Sequence, residues 1–250
     1  VIDLGGQAVL VTGGSRGVGR AVALLAARAG ADVAITYRTR SGDAEMVANE
    51  IRALGRRAVV DGGDHAEPAV AARFVETARG SLGGLDHFVA NAGIWPVAEV
   101  PLAAMPDSRW RETIRVNLDG VFATTRAALP ALRPGGSVVL VSSTAAQRGE
   151  AYHADYAATK GALVSLTKSL AVECAPAVRV NCVAPGWIDT EMSAGALAGD
   201  ARGRVEATIP LGRIASADDV AGPIVFLMSA LARQITGEIV NVNGGSVLCG

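Results

Sequence analysis

Short runs rich in Val, Ile and Ala recur along the chain: AVLVT (8–12), VAITY (33–37), AVVD (58–61), HFVAN (87–91), SVVLVS (137–142), VRVNCVA (178–184) and EIVNVN (238–243). Their apolar positions are consecutive rather than alternating, the pattern of a strand buried on both faces. Between them lie longer stretches with helical period, at 17–29, 43–54, 68–81, 109–132, 156–173 and 217–230. Strand and helix in regular alternation predict right-handed crossovers and an α/β fold: a doubly wound parallel sheet of about seven strands with helices on both faces. No composition shift marks a domain boundary, so residues 1–250 read as one domain. The stretch 186–214 has no clear period and is rich in Gly, Ala and Thr. A long irregular loop inside a compact domain reads as a substrate lid, here with a short helix within it.

Composition narrows the partners. With 250 residues and 50% hydrophobic content the chain can bury one large core. A formal net charge of -1 offers no electrostatic footprint for nucleic acid or an acidic membrane surface, which leaves small molecules as the expected ligands. Cys174, Cys182 and Cys249 are odd in number and lack CxxC spacing, so neither a disulfide framework nor a zinc site is expected. His65, His87 and His153 are scattered, read as solvated or capping residues, and suggest no metal site. No apolar run reaches the roughly 20 residues that span a bilayer, and the first residues lack the pattern of a secretory signal. The expected setting is the reducing cytoplasm.

The first chemistry-bearing stretch is VLVTGGSRGVGR (9–20), with four glycines directly after an apolar run. A strand that ends at Thr12 and turns through GGSRGVG into a helix sets backbone N–H groups and the positive end of a helix dipole where a pyrophosphate could sit. The spacing Gly13, Gly17, Gly19 does not match G-x-G-x-x-G in register, and no Lys-Ser/Thr follows as in a nucleoside triphosphate loop. A second stretch, DYAATKGAL, spaces Tyr156 and Lys160 at i, i+4, on one helix face. A phenol ordinarily keeps its proton to about pH 10, and an ammonium one turn away is expected to lower that value and make Tyr156 a usable general acid. Three companions support this: Ser142 and Ser143 closing the strand at 137–142, Asn91-Ala92-Gly93 closing another, and Asn117 inside the helix at 109–132, where an amide carries a propensity penalty.

Taken in order, these motifs resemble the short-chain dehydrogenase/reductases, from about Leu4 to Gly245. The turn from Thr12 to Gly19 matches the family's TGxxxGxG segment, Asn91-Ala92-Gly93 its NAG segment, Ser143, Tyr156 and Lys160 its catalytic Ser, Tyr and Lys, Asn117 the fourth catalytic member, and Pro185-Gly186 its PG turn. The resemblance implies a Rossmann-type fold and hydride transfer between a nicotinamide cofactor and a carbonyl or alcohol. Tyr156 would exchange the proton, Ser143 would hold the substrate oxygen, Lys160 would bind the ribose hydroxyls, and Asn117 would support a water in a proton relay. Gly13, Ser15, Arg16, Gly17, Val18 and Gly19 would cradle the pyrophosphate, while Ile188 and Thr190 would touch the nicotinamide amide.

The cofactor type is read at the end of the second strand. An Asp there would bond a ribose 2′-OH and repel a 2′-phosphate, whereas this chain has Tyr37 and Arg38, with Arg16 in the glycine turn. NADP(H) is the expectation. Asp64 is expected at the adenine, with Asp61 as the other alignment of DGGDHAE. The charged run DSRWRETIR reads as a solvated helix face, and Trp95, Trp187, Tyr152 and His153 as candidates to shape the cleft. The sequence looks most like 3-oxoacyl thioester reductases, which are usually tetramers, so a homotetramer or homodimer is implied, built on the helices at 109–132 and from Tyr156 and on the last strand. VECAPAV, however, lacks the basic residues such enzymes set out for an acidic carrier protein, and a free ketone or alcohol explains the same residues. A nucleotide sensor without turnover is the reading that loss of Tyr156, Lys160 or Ser143 would have favoured.

Overall fold

The computed structural model describes residues 1–248, so Cys249 lies outside the described residues. Seven parallel strands form one sheet in the order β3-β2-β1-β4-β5-β6-β7. The strands are β1 (Ala8–Val11), β2 (Asp32–Tyr37), β3 (Ala58–Gly62), β4 (His87–Ala90), β5 (Gly136–Val141), β6 (Val178–Pro185) and β7 (Ile239–Val242). All seven coincide with the apolar runs to within a residue or two. The connecting helices are α1 (Gly17–Arg28), α2 (Ser41–Ala53), α3 (Pro68–Leu82), α4 (Asp107–Ile114), α5 (Gly120–Ala128), α6 (Ala145–Arg148), α7 (Ala154–Glu173), α8 (Ala201–Glu206) and α9 (Ala217–Met228).

The consecutive apolar positions serve two cores at once. Val9, Val11, Val33, Ile35, Val139 and Val141 point to the face covered by α1, α2 and α9. Ala8, Leu10, Ala34, Phe88, Val138 and Leu140 point to the face covered by α3, α5 and α7. Strand alternation thus divides each run between the two sides, which is why no polar position interrupts it. The order reverses between β1 and β4, and the carboxyl ends of the strands open into a crevice at that switch point.

One helix differs from its expected course. The stretch 109–132 is not continuous: α4 leads into a π-helical turn at Arg115–Asp119, then α5, then a 3₁₀ turn at Leu129–Ala131. The wide turn carries Asn117, whose fully buried side chain is bonded to backbone outside the helix. Pro130 lacks the N–H and tightens the end into the 3₁₀ turn. The charged run at 107–115 is also not simply solvated, because Arg109 reaches inward to Asp155, which has no exposed surface.

The region 186–214 is irregular with the short helix α8 inside it. It carries a small core of its own, Leu197, Ile209 and Ile214, against which Trp187 and Val205 pack.

The histidines depart from expectation in being buried, all three. His65 Nε2 meets the Val116 carbonyl oxygen at 2.9 Å. His87, at the start of β4, lies between Ser137 Oγ (2.9 Å) and Gln7 Oε1 (2.7 Å), and burial depresses its pKa to about 4. A neutral imidazole in the fold whose unfolded value is near 6.5 contributes stability that is fully present above pH 6.5 and is lost as pH falls toward 4. At 1.36 kcal/mol per unit the loss is about 3 kcal/mol. Denaturant unfolding between pH 7 and 4 will show that loss, and His87→Gln will flatten this part of the slope; an unchanged slope contradicts the assignment.

Candidate functional site

The crevice at the carboxyl ends of β2, β1, β4, β5 and β6 has a volume of about 320 Å³. Its floor is built by backbone brought into close contact. A Cβ on Gly19 would collide with the Gly13 carbonyl oxygen, so Gly19 answers a packing demand inside the turn and does not itself face the crevice. Gly17 differs: its φ of +53° is left-handed, and its open side faces the crevice opposite Thr190, 3.6 Å from where a Cβ would stand. Gly13, Ser15, Arg16, Gly17 and Val18 line the wall here. Five of the six turn residues named in the sequence reading thus face the crevice.

The turn is tied to β4 by the side chain of Thr12, the first residue of the TGxxxGxG match, to which the sequence reading gave no role of its own. Thr12 Oγ1 accepts from the N–H groups of Asn91 and Ala92, each at 3.1 Å, while Asn91 Nδ2 donates to the carbonyl oxygens of Thr12 (3.0 Å) and Gly13 (3.3 Å). Asn91, Ala92 and Gly93 therefore line the crevice as a brace between two strand ends. Asn117 lies one layer back. It accepts from Ile94 N (2.8 Å) and donates to Ile94 O (2.9 Å) and Thr159 Oγ1 (3.4 Å), so the amide that the resemblance assigns to a water relay is engaged in holding the loop after Gly93.

At the other end, α7 is docked on β5. Lys160 Nζ donates to the Val141 carbonyl oxygen at 2.8 Å, and Ser142 Oγ donates to the Lys160 carbonyl oxygen at 2.7 Å. Ser142 and Ser143 both line the crevice beside Tyr156 and Lys160, but Ser142 is buried with its hydroxyl committed to the Lys160 carbonyl, whereas Ser143 is only half-buried. The start of α7 is pinned by the buried Asp155, which accepts from Arg109 Nε (3.0 Å) and Thr113 Oγ1 (2.8 Å). Asp155 is a positioning residue that sequence alone missed, because nothing local marks its partners 42 and 46 residues away. Pro185, Gly186, Ile188 and Thr190 complete the wall.

The electrostatics correct the expected pairing of Tyr156 with Lys160. Burial pushes the Tyr156 phenol up to about 12, with a hydrogen bond from Ser143 acting the other way. Lys160 contributes no lowering: its Nζ is turned to Val141 O and lies 5.6 Å from the Tyr156 ring centroid. Burial in turn lowers Lys160 to about 8. Desolvation outweighs charge attraction at this separation.

The end of the crevice at β2, where the sequence reading expected the adenosine, holds more cations than that reading counted. Tyr37 and Arg38 line the crevice, and so does Arg40, two residues further on. Arg38 lies 3.6 Å from Asp64 and 3.5 Å from Glu112. Arg16 and Arg40 both reach Glu191, at 2.6 and 3.0 Å. Asp64 itself does not line the crevice, because Arg115 draws its carboxylate away at 2.8 Å; Gly63 and His65 line it instead. Asp61, the other alignment, lies on β3 and pairs with Arg73 of α3. Trp95 stacks on His153 with ring centroids 4.8 Å apart, and Trp187 meets Trp95 edge-on at 5.9 Å; none of these three, nor Tyr152, all expected to shape the cleft, is among the residues that line the crevice. Among the described residues no group of three His, Cys, Asp or Glu could hold a metal ion, and no helix is long and apolar enough to cross a membrane.

Comparison with known proteins gives the site a context. A family profile described as enoyl-(acyl carrier protein) reductase matches residues 13–246. An L-rhamnose 1-dehydrogenase (NAD(P)(+)) of Sphingomonas sp. (strain SKA58) is 42% identical over 247 residues, covering 97% of this chain and 96% of that one. The 3-oxoacyl-[acyl-carrier-protein] reductase FabG of Escherichia coli (strain K12) is 37% identical over 243 residues, covering 96% and 97%. Among solved structures, a short chain dehydrogenase from Burkholderia cenocepacia J2315 in complex with NADP superposes with a TM-score of 0.92 at 37% identity, covering 97% of this chain and 98% of that one.

The buried ammonium makes a stability prediction. A Lys160 depressed from 10.5 to about 8 costs the fold about 3 kcal/mol at pH 7, a cost relieved as pH rises from 8 to 10.5. Lys160→Met, which loses the Val141 hydrogen bond but also the buried charge, will raise Tm at pH 7 in a thermal melt; a lowered Tm contradicts the burial argument.

Proposed function

The chain belongs to the short-chain dehydrogenase/reductase family, and from that premise we propose that it is an NADP(H)-dependent oxidoreductase interconverting an alcohol and its carbonyl on a small, free substrate. That it is an oxidoreductase of alcohol and carbonyl groups using NAD(P) follows from the family. The choice of NADP(H), the proton chemistry and the substrate are the proposal.

The observation that carries it is the convergence of Ser143, Tyr156 and Lys160 on one wall of a crevice whose far end is ringed by Arg16, Arg38 and Arg40. The residues fit the cofactor: the bare Gly17 faces the crevice, and the end of β2 carries guanidiniums where a 2′-OH reader would have a carboxylate. Arg16, Arg38 and Arg40 would hold the 2′-phosphate, the turn from Gly13 to Val18 the pyrophosphate, Lys160 the ribose, and Ile188 and Thr190 the carboxamide. The nicotinamide supplies the hydride when bound.

The protein's own part is proton handling and alignment. Tyr156 keeps its proton at neutral pH and delivers it to the carbonyl oxygen in reduction. Burial makes the phenol a weaker acid, but the alkoxide that hydride transfer creates is a stronger base than the phenolate, so the transfer remains downhill. Ser143 steadies that oxygen with a second hydrogen bond. Lys160, held to about 8, stands one turn behind the phenol with its ammonium toward Val141 O. Asn117 and Asp155 act as positioning residues for the loop after Gly93 and for the start of α7. The region 186–214 acts as a lid over the substrate end, its Trp187 meeting Trp95 across it.

A free substrate is favoured by the end of α7. Val172 is 80% exposed there, Glu173 follows, and the segment VECAPAV (172–178) carries no Lys or Arg to dock an acidic carrier protein, which leaves Lys168 as the exposed cation one turn earlier. The similarity to a sugar dehydrogenase supports this reading. The second reading, reduction of a 3-oxoacyl thioester, is favoured by the similarity to FabG. Exposed Trp110, Phe122 and Val172 on α4, α5 and α7 support assembly of two or four copies through these helices.

Three measurements test the proposal. Tyr156→Phe will retain NADPH binding and lose at least about 10²-fold in turnover, within the usual range for a proton donor; unchanged turnover refutes the mechanism. A panel of aldoses, free ketones and acetoacetyl thioesters, assayed for NADPH oxidation or NADP⁺ reduction, will show its highest kcat/KM with a free compound, and a thioester winning the panel would establish the second reading. Light scattering will report a dimer or tetramer, against which a monomer counts.

A further inference from the structure

Glu191 is the one acidic residue among those lining the crevice, and it stands at the end that is otherwise cationic. A single oxygen, Oε2, accepts a hydrogen bond from Arg16 Nη1 at 2.6 Å and forms an ion pair with Arg40 Nη2 at 3.0 Å. The two guanidiniums come from different connections, β1 to α1 and β2 to α2, and the carboxylate comes from a third, the segment after β6. Arg40 keeps its other nitrogen, Nη1, on Asp43 at 3.1 Å. Arg38 has its carboxylates elsewhere, in Asp64 and Glu112. Glu191 therefore bridges the two guanidiniums as a phosphate oxygen would, on the segment proposed above as the lid.

We infer that Glu191 is a specificity-determining residue, an internal counter-ion that occupies the 2′-phosphate clamp and sets how strongly NADP(H) is preferred to NAD(H). The inference rests on the cofactor reading given above. Arg16, Arg40 and Glu191 have side chains 47%, 47% and 57% exposed, so their ion pairs are wet and individually weak. A 2′-phosphate carries up to two negative charges and three acceptor oxygens, and it displaces one carboxylate oxygen from such a pair. A 2′-hydroxyl has no charge with which to compete and leaves the bridge intact. Glu191 thus opposes only the phosphorylated cofactor, once as a competitor for the guanidiniums and again as a nearby like charge. By the same contact it ties the segment carrying Thr190 to the glycine turn, so that entry of the phosphate frees that segment.

Dissociation constants for NADPH and NADH, measured by fluorescence titration on the wild type, Glu191→Gln and Glu191→Ala, test this. Glu191 is exposed and outside both cores, so either variant reports on the same fold. The inference expects NADPH to bind about 3- to 10-fold more tightly in both variants, the range for losing one or two exposed charge contacts, with NADH changed less than about twofold. It also expects the gain to shrink as ionic strength rises toward 1 M, where charges are screened within about 3 Å. Equal tightening of both cofactors, or no change in either, overturns it. The wild-type ratio is a separate readout: NADH bound more tightly than NADPH defeats the cofactor reading, whereas the change from wild type to variant decides the role of Glu191.

Discussion

The site depends on a reciprocal pair of hydrogen bonds between α7 and the end of β5. Lys160 donates its ammonium to the last carbonyl of the strand, and Ser142, the next residue after that strand, donates back to the Lys160 carbonyl oxygen. Together they fix both the height and the rotation of α7 against the sheet, since helical spacing places Tyr156 one turn from Lys160 on the same face. The phenol must then look into the crevice. The fold bears a buried charge for this arrangement, as expected where a site is held in place by groups that stability alone would not select.

The remaining walls are joined by contacts of the same kind, short polar bonds between the ends of neighbouring strands. Thr12 and Asn91 bind β1 to β4, and Asn117 binds the loop after β4 to the π-helical turn. Arg109, Thr113 and Asp155 bind that helix to the start of α7. Each residue of catalytic interest is therefore one bond away from a residue whose business is geometry. Under the proposed mechanism this amounts to preorganisation, since the groups assigned to the reaction need not be ordered at the moment it occurs.

Much of this was legible in the chain. The strands were, because a sheet covered on both faces leaves an unbroken apolar signature, as in SVVLVS; the glycine turn was, because Gly14 and Gly19 meet neighbours closer than a Cβ allows and Gly13 and Gly17 take left-handed φ. What escaped depends on partners far apart in sequence. The buried Arg109–Asp155 pair hid inside what read as a solvated helix face, and Asn117 required a π turn that no local pattern announces. Arg40 and Glu191 are 151 positions apart and meet only after the sheet has assembled. The Tyr156–Lys160 spacing was right while its electrostatics were not, because spacing fixes a shared face but cannot say where an ammonium points or how much water it has lost.

The account's central claim is that Lys160 is a buried ammonium held by the end of β5. The chain has two lysines, Lys160 and Lys168, so a ¹⁵Nζ-lysine spectrum contains two signals, and Lys160→Met assigns them. Titrated in cofactor-free protein, one signal should move with a midpoint near pH 8. If the Lys160 signal instead titrates above pH 10, as a solvated lysine does, then the ammonium is not docked on Val141 and the geometry built on it fails.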